Sequence, residues 1–272
     1  MWPNLLMSWL KKDPNSIRSP AGLEWRIWKK LPLIWLVMLA VYFTLMKGGV
    51  LGLTEVPTDQ WGGLPLTVML TVVSMTMAFP LSIFVALGRR SNMPAIKTLC
   101  TLYVELIRGV PLITVLFMAS FMLPLFMPEG VKIDVLVRVV VGITLFSGAY
   151  MAEVIRGGLQ ALPKGQVEAA HSLGLSYWQI QRMIVLPQAL RLVVPAIVNT
   201  FIGAFKDTSL VTIVSLYDLT GAVQLALGDA DWRKFFIEGQ LFVAGIYFIA
   251  CFAMSRYSQW LESHLNTGTR RQ

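Results

Sequence analysis

A lysine and an aspartate standing side by side inside an apolar run carry the most chemistry in this sequence. Lys206 and Asp207 fall within the segment Leu192 to Leu216, in the stretch Asn199-Thr200-Phe201-Ile202-Gly203-Ala204-Phe205-Lys206-Asp207-Thr208-Ser209-Leu210. Ionisable side chains at membrane depth cost several kcal/mol on most scales, so each marks a site of function by default. On a helix, Thr200, Gly203 and Asp207 share one face and Asn199, Gly203 and Lys206 the adjoining one, making a single polar stripe with a glycine gap at its middle. One cation, one anion and the hydroxyl and amide groups of Asn199, Thr200, Thr208 and Ser209 can replace part of the hydration shell of a zwitterionic solute in transit. The plainer alternative is a structural ion pair that ties this helix to its neighbours. Residues adjacent in sequence point to different helix faces, so Lys206 and Asp207 are not expected to neutralise only each other.

A second charged pair, Glu105 and Arg108, lies three residues apart on one face at the start of another apolar segment. That spacing permits a local ion pair at the membrane interface, with Arg108 snorkelling toward water. Gly109-Val110-Pro111 follows at once and marks a helix start or kink, a usual place for gating motion. Beyond these pairs the sequence offers little reactive chemistry. It has no Gly-x-x-x-x-Gly-Lys-[Ser/Thr] with which to hydrolyse a nucleotide. His171 and His264 both fall in expected aqueous segments, and no clustered His and carboxylate arrangement points to a metal or nucleophile site. Cys100 and Cys251 are widely separated and lie beside or within apolar runs, which argues against a disulfide framework.

The elements that position these residues are membrane helices. Of the 272 residues 56% are hydrophobic and 14% charged, with a mean hydropathy of +0.64, and that balance lies outside the globular range. A helical crossing takes about 20 apolar residues. Six segments qualify: Leu31 to Met46, Leu64 to Leu87, Leu99 to Met127, Val135 to Ile155, Leu192 to Leu216 and Phe235 to Arg256. The first reaches spanning length through Gly48 to Leu53. The expected class is therefore an all-α integral membrane protein. Its divisions are a basic arm over 1–30, a first span over 31–53, a membrane core over 60–258 and a tail over 259–272. Basic residues precede the first apolar run, but the arm is long and no small-residue cleavage site follows, so the first span is expected to be uncleaved.

Charge placement sets the orientation and explains the formal charge of +8 without nucleic acid. With the amino terminus inside, the cytoplasmic set comprises Lys11, Lys12, Arg18, Arg26, Lys29 and Lys30 of the arm, then Arg89, Arg90, Lys97, Arg156, Lys164, Arg182, Arg191, Arg256, Arg270 and Arg271. The external set is Lys47, Lys132, Arg138, Arg233 and Lys234, with Arg108 and Lys206 left at membrane depth. Both termini are then cytoplasmic. The external loops Val50 to Gly63 and Tyr217 to Lys234, the latter with Asp218, Asp229 and Asp231, are expected to be solvated or to touch a soluble partner.

Between the fourth and fifth spans lies a polar loop, 156–191, with structure of its own. From Gln166 to Leu173 the composition favours helix, with Val167, Ala170 and Leu173 on a weakly apolar face. Gly174 supplies a backbone position that tolerates positive φ and ends that helix. Ser176 then caps a second helix through Trp178, Ile180 and Met183, which Pro187 is expected to stop. The result is a compact knob with Glu168, His171, Gln179, Gln181 and Arg182 available to solvent or a partner.

The spacing in that knob resembles the EAA loop of the membrane subunits of ATP-binding-cassette importers. The family pattern is Glu-Ala-Ala, three residues, Gly, nine residues, Ile, one residue, Leu-Pro, and Glu168, Ala169, Ala170, Gly174, Ile184, Leu186 and Pro187 match it without a gap. Lys206-Asp207-Thr208-Ser209-Leu210, Glu105 to Leu112 and Ile155-Arg156-Gly157-Gly158-Leu159 look like the polar amino-acid branch of these permeases. The long basic arm and added first span are similar to those of general L-amino-acid permease subunits. The resemblance implies a five-helix type I importer core preceded by one helix, in a bacterial inner membrane. It further implies a second permease subunit, a cytoplasmic ATPase dimer that binds ATP and Mg and grips the knob, and a periplasmic or extracellular binding protein that delivers amino acids. No cofactor is expected on this chain. Several members carry Glu or Gln after the asparagine matching Asn199, and Thr200 in its place weakens any preference for cationic amino acids. The competing readings are a secondary transporter driven by an ion gradient, with Lys206, Asp207 and Glu153 as ion groups, and a membrane enzyme. The first lacks an inverted repeat, and the cytoplasmic loop motif counts against it.

Overall fold

The computed structural model describes residues 33–34, 37–50, 52–128, 130 and 132–265. The basic arm over 1–30, the first residues of the expected first span and the last seven residues of the tail lie outside them. The chain divides into two units, Met1–Pro57 and Thr58–Gln272. In the first unit, helix α1 covers Val37–Lys47. It is not extended by the residues after it: Gly48, Gly49 and Gly52 take φ of 70°, 76° and 80°, and the chain turns back so that the Val56 N–H donates to the Lys47 carbonyl at 2.8 Å.

The second unit is built on α2, Gly63–Arg89, and α5, Val135–Ala161, which pack along one another. Small hydroxyl side chains let their backbones approach, as is usual where helices meet in lipid. Ser74 donates to the Val140 carbonyl and Thr144 to the Ser74 carbonyl, both at 3.4 Å. Between these helices the chain makes α3, Pro94–Arg108, and α4, Leu112–Phe117, the latter continued by a π-helical turn at Met118–Met122 and a tight turn at Leu123–Phe126. The expected single span Leu99 to Met127 is thus two helices bent by 104°. Pro111 causes the break, because it lacks an N–H and drives Val110 out of helical geometry.

After α5 come α6, Lys164–Ser172, and α7, Tyr177–Ile180. A π-helical turn at Gln181–Val185 then leads directly into α8, Leu186–Asp207. Pro187 therefore does not stop the second helix of the knob. The wider π turn before it loosens the backbone where its ring would meet the carbonyl of Met183, and the helix runs from Tyr177 to Val214 without a break. The last turns, Thr208–Val214, tighten to 3-10 geometry and end at Ser215 with φ of 62°. A two-residue strand at Tyr217–Asp218, the short α9 at Leu219–Gly228 and the long α10 at Phe236–Leu265 complete the chain.

Among the described residues, four helices are long and apolar enough to cross a membrane, and five if the bent pair counts as one. The six expected crossings are reduced because α1 as described is short for one. Burial is uneven among the four. The apolar window of α5 is 61% buried, whereas those of Tyr177–Val214 and Arg233–Ser263 are 11% and 6% buried.

The seam between α5 and α8 is close enough to be set by one glycine. A Cβ at Gly158 would sit 2.6 Å from Val193 Cγ1 and 2.8 Å from the Ala189 carbonyl oxygen, whereas one at Gly157 would meet nothing within 4 Å. Gly158→Ala is expected to lower stability by about 1–3 kcal/mol through overpacking. Gly157→Ala is expected to leave it unchanged or slightly raised. Thermal unfolding of the two variants in detergent checks the contrast, and equal melting temperatures would show that the seam has slack.

Candidate functional site

The knob is held by backbone geometry at its tip and by apolar contact at its base. At the end of α6 the Gly174 N–H donates to His171 and the Leu175 N–H to Ala170, at 2.9 and 3.3 Å, and Gly174 takes φ of 73°. This double bond pattern with a left-handed glycine closes a helix and satisfies its last carbonyls. Ser176 and Gln179 then form a reciprocal capping box, with the Ser176 N–H donating to Gln179 Oε1 at 2.8 Å. Ala170, Ile180 and Val185 are buried with Leu87 of α2, Met151, Ile155 and Leu159 of α5, and Ala189 of α8; Val167, Ile184 and Leu186 pack against the same cluster. The knob therefore shares one core with the membrane helices.

Its outer surface carries Glu168, Ala169, Gly174 and Pro187, all exposed. His171, Gln179 and Arg182 are exposed as expected, but Gln181 is half-buried and its Oε1 has no hydrogen-bond partner. The expected apolar face also divides: Val167 and Ala170 turn inward while Leu173 stands 78% exposed. Trp178 and Met183 join Leu173 in the open at 64% and 65% exposure, a concentration of apolar surface at the knob that helical periodicity does not signal. Large exposed apolar side chains grouped among polar ones mark an interaction site.

The residues of the expected polar stripe divide between a cavity wall and other surroundings. Asn199, Thr200, Gly203 and Asp207 of α8 face Phe146, Ser147 and Tyr150 of α5 across an open cavity of about 430 Å³. Gly203 leaves its part of the wall bare, since a Cβ there would meet nothing within 4 Å. Lys206 is exposed and does not line this cavity, nor do Thr208 and Ser209. Thr208 is buried and donates to its own helix at Phe205. The reason is angular: one residue turns a helix by roughly 100°, so Lys206 leaves the face that Asp207 occupies. The cavity's opposite wall, Ser147 and Tyr150, was missed although the two stand three apart on one face of α5.

Glu105 and Arg108 do not pair with each other. Glu105 accepts from Arg89 Nη2 at 3.0 Å, and Arg108 Nη1 lies 3.8 Å from Glu153 Oε2. Arg89 Nη1 reaches the same Glu153 oxygen at 2.6 Å, and Arg156 pairs with Glu153 one turn along α5. Three guanidinium groups from three helices thus converge on one carboxylate. Arg108 also lies 5.4 Å from the ring centroid of Tyr150, which links this network to the cavity wall.

At the other end of the unit, Asp218 is fully buried rather than part of a solvated loop. Its carboxylate accepts from the Gly221 N–H at 2.9 Å, capping α9, and from the Tyr247 hydroxyl of α10 at 2.9 Å. The Leu219 N–H donates to Thr67 Oγ1 of α2 at 3.0 Å, and Tyr217 and Asp218 pair in parallel with Gly62 and Gly63. A carboxylate taken out of water needs these donors, and they fasten α9 between α2 and α10.

Residues 78–267 match the model of the family described as binding-protein-dependent transport system inner membrane component. The chain is 54% identical over 248 residues to the inner membrane amino-acid ABC transporter permease protein YhdY of Escherichia coli strain K12, covering 89% of this chain and 68% of the relative. It is 48% identical over 240 residues to the glutamate/glutamine/aspartate/asparagine transport system permease protein BztC of Rhodobacter capsulatus, covering 88% of this chain but 55% of the relative. Among solved structures, a crystal structure of an amino acid ABC transporter with histidines superposes with a TM-score of 0.66 at 32% identity, over 74% of this chain and 92% of that one. Inward-facing MetNI methionine ABC transporter structures share the fold at 21% identity, with a TM-score of 0.55 over 72% of this chain and 93% of that one.

The charge network yields a stability test. Glu153→Gln leaves the guanidinium groups of Arg89, Arg108 and Arg156 facing one another without their shared carboxylate, and is expected to cost about 1–3 kcal/mol. Glu105→Gln, at a carboxylate 60% exposed, is expected to cost under about 1 kcal/mol. Chemical or thermal unfolding of the two variants measures the difference.

Proposed function

Because the chain belongs to the family of binding-protein-dependent transport system inner membrane components, we propose that it is the membrane-embedded permease subunit of an ATP-driven importer of polar amino acids. It is a transporter subunit and not an enzyme. ATP and Mg bind the separate ATPase subunits, in keeping with the missing nucleotide-binding motif here. The relatives named above support amino acids as the cargo. The full assembly pairs this chain with a second, different permease subunit, a cytoplasmic ATPase dimer and an external amino-acid-binding protein, in the inner membrane of a bacterium. The finer topology has six crossings, with a first span over 31–53 ahead of a five-helix core, both termini inside and the 156–191 loop on the ATPase side. The bias of basic residues supports that orientation.

The observation that carries this reading is the unbroken helix from Tyr177 to Val214. Its first turn belongs to the knob and its later turns carry Asn199, Thr200, Gly203 and Asp207 of the cavity wall. Glu168, Ala169, Ala170, Gly174, Ile184, Leu186 and Pro187 form the coupling element, with Leu173, Trp178 and Met183 as added docking surface. Closure of the ATPases around ATP draws the knob, and α8 carries the displacement to the cavity about 30 Å along its axis, at 1.5 Å per residue. The driving energy is the difference in partner affinity between the two states, since nothing else biases the equilibrium. In the cavity, Asp207 meets the ammonium group of the solute and the Asn199, Thr200, Ser147 and Tyr150 groups replace water around its carboxylate. Lys206, Thr208, Ser209, Glu105 and Arg108 act beside the pathway, the last two by bracing its gate at Gly109 to Pro111.

Reconstituted vesicles holding the whole complex test the assignment. Gly174→Ala, strained at its positive φ, and Trp178→Ala are expected to reduce ATP-driven uptake roughly tenfold, as for the loss of a central interface residue, while membrane insertion stays normal. Asp207→Asn should change the amino-acid spectrum without loss of folding, whereas Asp218→Asn should act first on stability. Normal coupled uptake in both knob variants would refute the coupling role. For topology, a cysteine placed near Lys164 in a background lacking Cys100 and Cys251 should resist an impermeant thiol reagent applied from outside.

A further inference from the structure

The cavity between α5 and α8 has an aromatic wall that is held from α3. Phe146 and Tyr150 both line the cavity. They stand four residues apart on one face of α5, with ring centroids 4.8 Å apart. Helix α3 grips α5 at points that bracket this pair. The Tyr103 hydroxyl donates to the Leu145 carbonyl at 2.6 Å, and a Cβ at Gly148 would stand 3.3 Å from the same hydroxyl. Arg108, the last residue of α3, places its guanidinium over the Tyr150 ring at 5.4 Å from the centroid.

The charge network does not require Arg108. Glu153 Oε2 already accepts from Arg89 Nη1 at 2.6 Å and from Arg156 Nε at 3.1 Å, while Arg108 Nη1 stays 3.8 Å away, outside hydrogen-bond distance. The two carboxylates of the network, Glu105 and Glu153, face three guanidinium groups, so one positive charge is in surplus. What sets Arg108 apart from Arg89 and Arg156 is the tyrosine face beneath it, which attracts a cation within about 6 Å through the ring quadrupole. We propose, on the reading of this cavity as the solute chamber, that Arg108 is a positioning residue for solute binding, holding the Tyr150 ring and the Phe146 ring packed against it as one formed wall. Arg108 does not itself line the cavity and acts through Tyr150. Because Arg108 directly precedes the bend at Gly109 to Pro111, a single side chain joins that bend to the wall. A solute that binds the formed wall better then favours the arrangement of α3 that supplies Arg108.

The test is a double-mutant cycle on the whole complex in nanodiscs, without the binding protein. Equilibrium binding of radiolabelled L-glutamine, L-glutamate, L-asparagine and L-aspartate gives the half-saturating concentration, and melting temperature is followed separately without solute. Arg108→Gln is expected to raise the half-saturating concentration about fivefold, the size of one partly exposed cation–π contact. Arg108→Lys, which keeps a cation but not the guanidinium plane, is expected to raise it about twofold. In a Tyr150→Leu background neither change at Arg108 should have any further effect, because the ring it acts through is gone. Should Arg108→Gln fail to fold, Arg108→Lys carries the same cycle. Effects of Arg108 and Tyr150 that multiply in the double variant overturn the proposal. A lowered melting temperature with unchanged half-saturation overturns it too and leaves Arg108 a structural member of the network. A parent complex that binds none of the four amino acids overturns the reading of the cavity itself, an outcome distinct from a parent that binds them with variants that match it.

Discussion

The rest of the second unit depends on how closely α5 lies against α8. Gly158 lets the Ala189 carbonyl and Val193 approach where any side chain would intervene. That contact sets the spacing of the two helices in the cluster that also buries Ala170, Ile180 and Val185 of the knob. Further along, the same two helices part and become the two walls of the cavity, Ser147 and Tyr150 on one side and Asn199 to Asp207 on the other. A single seam thus anchors the knob at one point and opens into the cavity at another.

Much of this was legible because the responsible signals are local. The knob announces itself through Gly174 and Ser176, whose roles as helix terminator and cap are fixed by backbone sterics and one side-chain hydrogen bond. Asn199, Thr200, Gly203 and Asp207 could be placed on one face by helical period alone, and they share a cavity wall. What escaped was whatever depends on a distant partner. The Glu105 and Arg108 spacing is ideal for a local pair, yet Arg89 and Glu153 outcompete it, because neither residue's other neighbours can be read from one strand of sequence. Asp218 looked like a loop carboxylate, and only the arrival of Gly221 and Tyr247 makes it a buried keystone. Pro187 carried a local rule, that proline ends a helix, which the π turn at Gln181–Val185 overrides.

The exposure of α8 and α10 distinguishes them from α2 and α5. Few residues of α8 or α10 are fully buried within the described residues: most of α8 is half-buried and most of α10 is exposed, and a long apolar helix surface left open suits lipid or a further protein. Charges, by contrast, are gathered into one network where α2, α3 and α5 end together, so that Arg89, Arg108 and Arg156 meet Glu153 instead of lipid. Such a network fixes helix ends laterally without strengthening the apolar contacts between them, and it stands beside the break at Gly109 to Pro111, where α3 and α4 diverge by 104°. The polar fastening and the bend are therefore neighbours.

The π turn at Gln181–Val185 has a further consequence. It inserts an extra residue's worth of backbone between the knob and α8, and each residue in a helix advances the azimuth by roughly 100°. The direction in which Trp178 points is thereby phase-locked to the direction in which Asp207 points, by a count of residues rather than by any contact. Removing one residue from that turn would swing the handle to a different side of the rod while every local interaction survived. Chain length between knob and cavity is thus a specification of this molecule in its own right, written in no side chain.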